Sequence, residues 1–359
     1  MSASTAVPWW TWAWPALAWV IMVATVVLGT PVLLAAVAGI VLMGTVFAAV
    51  HHAEVVAHRT GEPFGTLVLA VAVTVIEVAL IVSIMAGSTD KAGLARDTVF
   101  AAVMIVCNGI VGVCLLAGGV RHHEQGFQVR GASTALAVLA PLTVLTLVLP
   151  NYTISAPGAA FSKAQLVFAG GVSLVLYGAF VFVQTVRHRD YFLPPVTGDE
   201  EVHADPPSNT VAVVSAGLLF VSLIAVVGLA KALTPSLESV IAEIGAPKAV
   251  VGIAIAMLVL LPEGLAALRA ARANRLQTSL NLALGSALAS IGLTIPAVAL
   301  VSIVLGLELD LGLGDKETVM LGLTLIVGVI TLGTGRTTVL QGIVHLVIFA
   351  TFLFLAVVP

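Results

Sequence analysis

The chain has 359 residues, of which 60% are hydrophobic and 9% charged, and its formal net charge is −3. Its mean hydropathy is +1.14, whereas soluble domains carry about 25% charged residues. A chain this poor in charge cannot cover an apolar core with polar surface in water, so the composition excludes an ordinary soluble fold and indicates a membrane protein. The charge balance also excludes nucleic acid as a partner, because there is no basic footprint.

The N-terminal segment lacks the basic region of a secretory signal, and it holds every tryptophan of the chain. Tryptophan concentrates at membrane–water interfaces. The cluster therefore predicts an interfacial anchor, with a frayed tail as the open alternative. The tryptophans are Trp9, Trp10, Trp12, Trp14 and Trp19.

Eleven apolar runs follow one another along the chain, and each is long enough to serve as a helix across a hydrocarbon core of about 30 Å. The first two meet at Gly29–Pro31, which predicts a tight link. The expected fold class is an all-α polytopic membrane protein with about 11 transmembrane helices. The predicted spans are 15–30, 31–53, 64–86, 97–119, 132–150, 163–186, 209–233, 248–268, 279–305, 318–334 and 338–358.

The basic residues predict the orientation of these spans. With the N-terminus in the cytoplasm, nine basic residues fall in inside loops and six in outside loops, which favours N-in and C-out by the positive-inside rule. The inside set is Arg59, Arg121, Arg130, Arg187, Arg189, Arg269, Arg272, Arg275 and Arg336. The outside set is Lys91, Arg96, Lys163, Lys231, Lys248 and Lys316.

A polar stretch with several acidic residues and prolines, 187–208, divides the chain into halves of similar size and is interpreted as a flexible cytoplasmic linker. Each half holds one span with a glutamate, Glu77 or Glu263, followed by a polar turn and a small-residue-rich span. Because one glutamate span enters from inside and the other from outside, the halves are predicted to be inverted repeats. The predicted domains are residues 1–30 (N-terminal aromatic anchor and first helix), 31–186 (first repeat), 187–208 (acidic cytoplasmic linker) and 209–359 (second repeat).

The two intramembrane glutamates are the main candidates for function. A charged acid at bilayer depth costs about 2.5–3.5 kcal/mol on insertion scales, and no basic residue lies at comparable depth in any predicted span. The neutralising partners left are a proton or a metal cation. Alternation between the two is what a proton-coupled exchanger requires, whereas the alternative is a permanently protonated structural residue.

Several neighbours supply oxygen atoms of the type that hard cations prefer. Thr74 lies one turn before Glu77, and Pro262 frees a helix carbonyl near Glu263. Asn108 and Ser286 offer oxygens from the span that follows each glutamate. For these two residues, hydrogen bonding between helices is the equally weighted alternative.

A second polar cluster near the cytoplasmic end of the second span consists of His51, His52, Glu54 and His58. His51, Glu54 and His58 are spaced three and four residues apart and share a helical face. The alternatives are a structural zinc site, a cytoplasmic entry or pH-responsive cluster, and an ordinary helix end. His345, in the last span, is interpreted as a packing histidine whose hydrogen bonds are satisfied.

Four stretches, 61–85, 261–270, 285–296 and 334–346, resemble the calcium/proton antiporter (CAX) family of the cation/calcium exchanger superfamily, in particular its bacterial ChaA-like sodium/calcium-proton antiporter branch. The resemblance implies one peripheral helix plus two inverted five-helix repeats. It implies that one acid in each repeat binds cation and proton in turn at the midplane.

Glu77 and Glu263 match those two acidic positions. Glu54 and Glu238 resemble acids that precede each repeat motif, and with His51 and His58 they are the candidates for an entry or gate. The broader family has Gly-Asn-Ala near its glutamate, and neither repeat has that asparagine here. Fewer oxygen ligands favour Na⁺ or K⁺ over a tight Ca²⁺ cage.

The predicted function is secondary active antiport of cytoplasmic Ca²⁺, Na⁺ or K⁺ against external protons, by alternating access. The transported ions are its partners and substrates, and no resident cofactor is expected. The predicted location is the inner (cytoplasmic) membrane, with a homo-oligomer left open. The competing interpretations are a passive cation channel and an intramembrane metal-dependent hydrolase built on the His51–His58 cluster.

Overall fold

The structure of the protein is a computed structural model. It describes residues 8–61, 64–85, 92–193, 207–243, 245, 247 and 249–358, without the side chains of residues 238, 241 and 242. The chain divides into two compact units. Unit one consists of Met1–Thr89 with Asp199–Ala246, and unit two of Asp90–Gly198 with Pro247–Pro359.

Unit one is a bundle of helices in which α2 packs against the other three. The predicted link between the first two helices is confirmed, because Gly29 turns the chain with a φ of +72° and Pro31 immediately precedes α2. The helices are α1 (Trp9–Leu28), α2 (Val32–Thr60), α3 (Phe64–Met85) and α8 (Asn209–Glu243).

The N-terminal tryptophans belong to α1, so the frayed-tail interpretation is wrong. Trp9 and Trp12 are exposed, as expected of an anchor at the membrane surface. Trp14 instead covers Gly44 of α2, where a Cβ atom would overlap the indole ring. The missing side chain at this glycine is what allows the peripheral helix to lie close to α2.

Unit two contains the remaining helices. Its first part is α4 (Leu94–Met104), a π-helical turn at Ile105–Ile110, α5 (Val111–His122), strand β1 (Gln125–Gly126), α6 (Val129–Thr143), and α7 (Lys163–Phe182). Its second part is α9 (Ala249–Arg272), α10 (Leu276–Ala289), a π-helical turn at Ser290–Thr294, α11 (Ile295–Leu305), α12 (Asp315–Leu332), strand β2 (Arg336–Thr337) and α13 (Val339–Val357).

π-Helical turns follow α6 at Val144–Val148 and α7 at Val183–Arg187, and two other continuous spans of unit two are widened at their centres by such turns. The first, called here the Asn108 turn, is Ile105–Ile110, and the second is Ser290–Thr294. Each lies in the span that follows a glutamate-bearing helix in its own repeat. Turns of this kind occur often at functional sites, because they redirect backbone carbonyls and side chains within a helix.

The loops of unit two form two groups that agree with the predicted alternation of spans. Strand β1 pairs antiparallel with β2, and both belong to loops predicted to be cytoplasmic. In the other group, the Asp310 amide donates to the Ala92 carbonyl at 3.0 Å, and the Leu313 amide donates to the Leu147 carbonyl at 2.7 Å. All four of those residues lie in or next to loops predicted to be external.

Ten helical segments of the described chain are long and apolar enough to cross a bilayer, against about eleven predicted spans. The remaining prediction, 318–334, corresponds to α12, whose first turn contains Asp315, Lys316 and Glu317. Carboxylates in the first turn of a helix interact favourably with its dipole. The helix is therefore present, although its amino-terminal end is polar.

The linker predicted at 187–208 is only partly described, because residues 194–206 lie outside the described chain. Its beginning belongs to the fold of unit two. Arg189–Tyr191 form a 3₁₀ turn, and the ring of Phe192 packs edge-on against Phe180 at 5.8 Å. An apolar side chain therefore holds this first part against α7, and the flexible linker stays a prediction for the rest of the stretch.

Candidate functional site

Glu77 lies on α3 in unit one and is only 1% exposed. The helix around it consists almost entirely of apolar residues. Thr74, one turn earlier on the same face, is also buried. Unit one therefore places a carboxyl group and a hydroxyl group together inside an apolar span, as the sequence predicted.

The histidine-containing end of α2 has one buried and several accessible polar side chains. Glu54 and His58 are exposed and His51 is half-buried, whereas the neighbouring His52 is fully buried. The His52 Nε2 donates to the Thr11 carbonyl of α1 at 3.1 Å. The buried histidine thus joins the peripheral helix to α2. Glu54 and His58 face outward, whereas the His51 ring lies 5.3 Å from the Trp10 ring of α1.

No group of three or more His, Cys, Asp or Glu side chains that could hold a metal ion is found among the described residues. The structural zinc interpretation of His51, Glu54 and His58 therefore has no support in the described chain. Glu238, the fourth candidate gate residue, lies within α8, but its side chain is outside the described part.

Glu263 lies on α9 in unit two, and its Oε2 atom is buried. Pro262 is inside the same helix, which continues through it to Arg272. The helix passes close to the Asn108 turn, since a Cβ atom on Gly264 would lie 3.1 Å from the Ile110 side chain. The absence of a side chain at Gly264 brings the acidic segment of α9 against this turn.

Asn108 is fully buried, and its amide bonds to other helices of unit two. Its Nδ2 donates to the Thr324 hydroxyl of α12 at 2.9 Å. Its Oδ1 lies 3.2 Å from Nδ1 of His345 on α13. Of the two interpretations that the sequence left open for Asn108, hydrogen bonding between helices is the one observed.

His345 is buried, and both of its ring nitrogens have partners. Besides Asn108, it contacts the Thr331 hydroxyl through Nε2 at 3.1 Å. The prediction of a satisfied packing histidine is confirmed. Thr324 and Thr331 were missed by the sequence analysis, although they are seven residues apart and so share one face of α12.

Ser286 lies on α10 and is half-buried, four residues before the second π-helical turn. The second π-helical turn itself holds two polar residues, Ser290 and Thr294, that are almost inaccessible. They occupy the place in the second repeat that Asn108 occupies in the first. Sequence reasoning selected Ser286 from its Gly-Ser pair and did not identify the widened turn.

A helical membrane fold built from two repeats, with an acidic residue inside a span of each, is typical of secondary ion transporters. The chain belongs to the sodium/calcium exchanger protein family, whose model matches residues 30–186 and 214–358. The protein is accordingly a transporter and not an enzyme, so the hydrolase interpretation is wrong.

Three relatives illustrate this membership. The chain is 53% identical to a putative ionic transporter, y4hA, of Sinorhizobium fredii, over 99% of this chain and 98% of the relative. It is 38% identical to the sodium-potassium/proton antiporter ChaA of Escherichia coli, over 87% of this chain and 85% of the relative. The crystal structure of the Ca²⁺/H⁺ antiporter YfkE has the same fold, with a TM-score of 0.74 at 16% identity over 97% of this chain and 99% of that one.

Proposed function

We propose that the protein exchanges cytoplasmic cations for external protons, by alternating access at a midplane site formed by Glu77 and Glu263. The observation that carries the proposal is the burial of Glu77 within an apolar helix. A carboxylate at this depth is stabilised either by a proton or by a bound cation. A group that alternates between these two partners couples the movement of one ion to that of the other.

The transport cycle follows from this competition. A cation enters from the cytoplasm and binds while both carboxyl groups are ionised. The loaded protein then opens its site to the outside, where the cation leaves and protons replace it. The protonated protein opens again to the cytoplasm. Exchange of one Ca²⁺ for two protons is electroneutral, whereas three protons move one net charge, which is worth about 2.3 kcal/mol per 100 mV.

The ligands favour a monovalent cation. A calcium site uses six to eight oxygen ligands, but a threonine and a leucine, Thr74 and Leu260, stand where the broader family has asparagine. The Escherichia coli relative is named as a sodium-potassium/proton antiporter, which agrees with this reasoning. Na⁺ and K⁺ are therefore the first substrates to test, with Ca²⁺ beside them.

The remaining candidates are proposed to act outside the binding step. Glu54 and His58 are exposed at the end of α2, with His51 half-buried beside them. With Glu238 of α8, they are proposed as entry or gate groups. Exposed carboxylates attract cations to a pore mouth without the desolvation cost of a buried carboxylate such as Glu77.

The test is cation-dependent proton flux in proteoliposomes containing the purified protein. Glu77→Gln and Glu263→Gln each remove a charge with little change of shape, and each is expected to abolish the flux while the protein remains folded. Glu243→Gln, at an exposed position of α8, is the matched control and is expected to keep it. Normal flux in either of the first two variants rejects the proposal, and cation flux that ignores the pH gradient identifies a channel instead.

A further inference from the structure

Four buried side chains of unit two form a hydrogen-bonded chain whose direction is fixed by their chemistry. The Thr324 hydroxyl donates to the Met320 carbonyl of its own helix at 2.8 Å, so its oxygen accepts from Asn108. The amide nitrogen of Asn108 must then face Thr324, and its oxygen must face His345. Because an amide oxygen only accepts, His345 donates from Nδ1, and its Nε2 accepts from the Thr331 hydroxyl.

This arrangement is tightly enclosed. Asn108 is 0% exposed and His345 1% exposed. Glycines allow α13 to approach, since a Cβ atom on Gly112 would lie 3.1 Å from the Cβ of His345, and one on Gly109 would lie 3.2 Å from the Phe349 ring. The close packing of α13 against α5 and the Asn108 turn leaves His345 little freedom to release Asn108.

The same turn borders the helix that bears the proposed cation ligand of unit two. Gly264, next to Glu263, faces the Ile110 side chain across the contact between α9 and the Asn108 turn. Asn108 belongs to this same turn, two residues before Ile110, and therefore carries an oxygen atom on the element that packs against the acidic segment of α9. Its oxygen, however, is directed at a hydrogen-bond donor on α13.

We propose that His345 is a positioning residue that determines cation selectivity by occupying the carbonyl oxygen of Asn108 and withholding it from the transported ion. This inference rests on the proposed function. A divalent cation gains most from an additional oxygen ligand, because Ca²⁺ requires a larger set of them than the two glutamates supply. Withholding this oxygen therefore lowers the affinity for Ca²⁺ more than that for Na⁺ or K⁺.

The experiment compares the concentrations of Ca²⁺ and of Na⁺ that give half-maximal proton flux, measured on the same proteoliposomes. Their ratio does not depend on how much of the protein is active. His345→Ala removes the donor and is expected to shift the ratio toward Ca²⁺ by about 2- to 10-fold, the range that one buried hydrogen bond covers. His345→Met, which lacks the donor but fills more of the space, is expected to do the same, and it replaces the alanine variant if that one does not fold.

Two further variants show whether the effect acts through Asn108. His345→Asn places an amide N–H near the former Nδ1 and is expected to restore the wild-type ratio. Asn108→Ala combined with His345→Ala is expected to show the ratio of Asn108→Ala alone. The inference is rejected if the ratio is unchanged in both His345→Ala and His345→Met. It is also rejected if His345→Ala shifts the ratio by the same factor in the Asn108→Ala background as in the wild-type protein. If the wild-type protein shows no cation-dependent proton flux, the proposed function is rejected instead.

Discussion

Thr74 places a hydroxyl group on the face of α3 that bears Glu77, and both side chains are buried. Thr74→Val keeps the shape of the side chain and removes the oxygen. If this oxygen helps to bind the cation, the concentration for half-maximal flux is expected to rise about 2- to 10-fold, the cost of one polar interaction. Proton flux measured against cation concentration in proteoliposomes checks this, with the maximal rate expected to change little.

The control for this prediction is Thr74→Ser, which retains the hydroxyl group and removes a methyl group. It is expected to keep the wild-type half-saturating concentration. If serine and valine weaken cation binding equally, Thr74 contributes through packing of α3, and its assignment as a supporting ligand is wrong.

Single residues differ in how much of their role the sequence predicts. Glu77 and Glu263 are recognisable because an acid within a long apolar run has few physical explanations. Asn108 is not, because a ligand and a hydrogen-bonding residue between helices require the same amide group. Only the positions of Thr324 and His345 distinguish the two roles, and both lie more than 200 residues further along the chain.

At the scale of elements, the close approach of α13 to α5 depends on glycine. A Cβ atom on Gly342 would lie 2.5 Å from the Leu116 amide nitrogen and 3.0 Å from the Gly112 carbonyl oxygen. These are backbone atoms, so they can move away only if the helices separate. Gly342→Ala is therefore expected to destabilise the protein by about 1–3 kcal/mol, the usual cost of overpacking, and thermal unfolding in detergent measures it.

Gly178 on α7 provides the matched control, since a Cβ atom there would meet nothing within 4 Å. Alanine lowers the conformational entropy of the unfolded chain relative to glycine, and this stabilises a helix by about 0.5–1 kcal/mol. Gly178→Ala is therefore expected to leave the unfolding temperature unchanged or to raise it. A similar fall in both variants would mean that helix contact is not the cause.

The apolar runs predicted the helices well because a span in lipid must satisfy its own backbone hydrogen bonds. The two central π-helical turns were not predictable in the same way. Apart from Asn108, Ile105–Ile110 and Ser290–Thr294 contain apolar and small residues like those of the surrounding helix. Their extra residue per turn is set by packing against neighbouring helices, which a single span does not encode.

At the scale of the whole molecule, the compact units do not coincide with the two sequence halves. Unit one combines α1, α2 and α3 with α8, the first helix of the second half. The linker and the paired glutamates indicated a division along the chain, but helix packing in a membrane follows small-residue faces instead of chain order. The sequence therefore predicted the repeats, and the grouping of helices required the structure.

The loop groups of unit two make the orientation of the chain testable. The native cysteines are buried, so a variant with alanine at both positions gives a background without accessible thiols. Ser155 and Ala273 are exposed and lie in loops that the basic residues assign to opposite sides. With nine basic residues inside against six outside, Ser155→Cys is expected to react with a membrane-impermeant maleimide in intact cells, and Ala273→Cys only after permeabilisation.

The reverse labelling pattern would place the N-terminus outside. Labelling of both positions in intact cells would contradict the alternation of spans on which the inverted repeats depend.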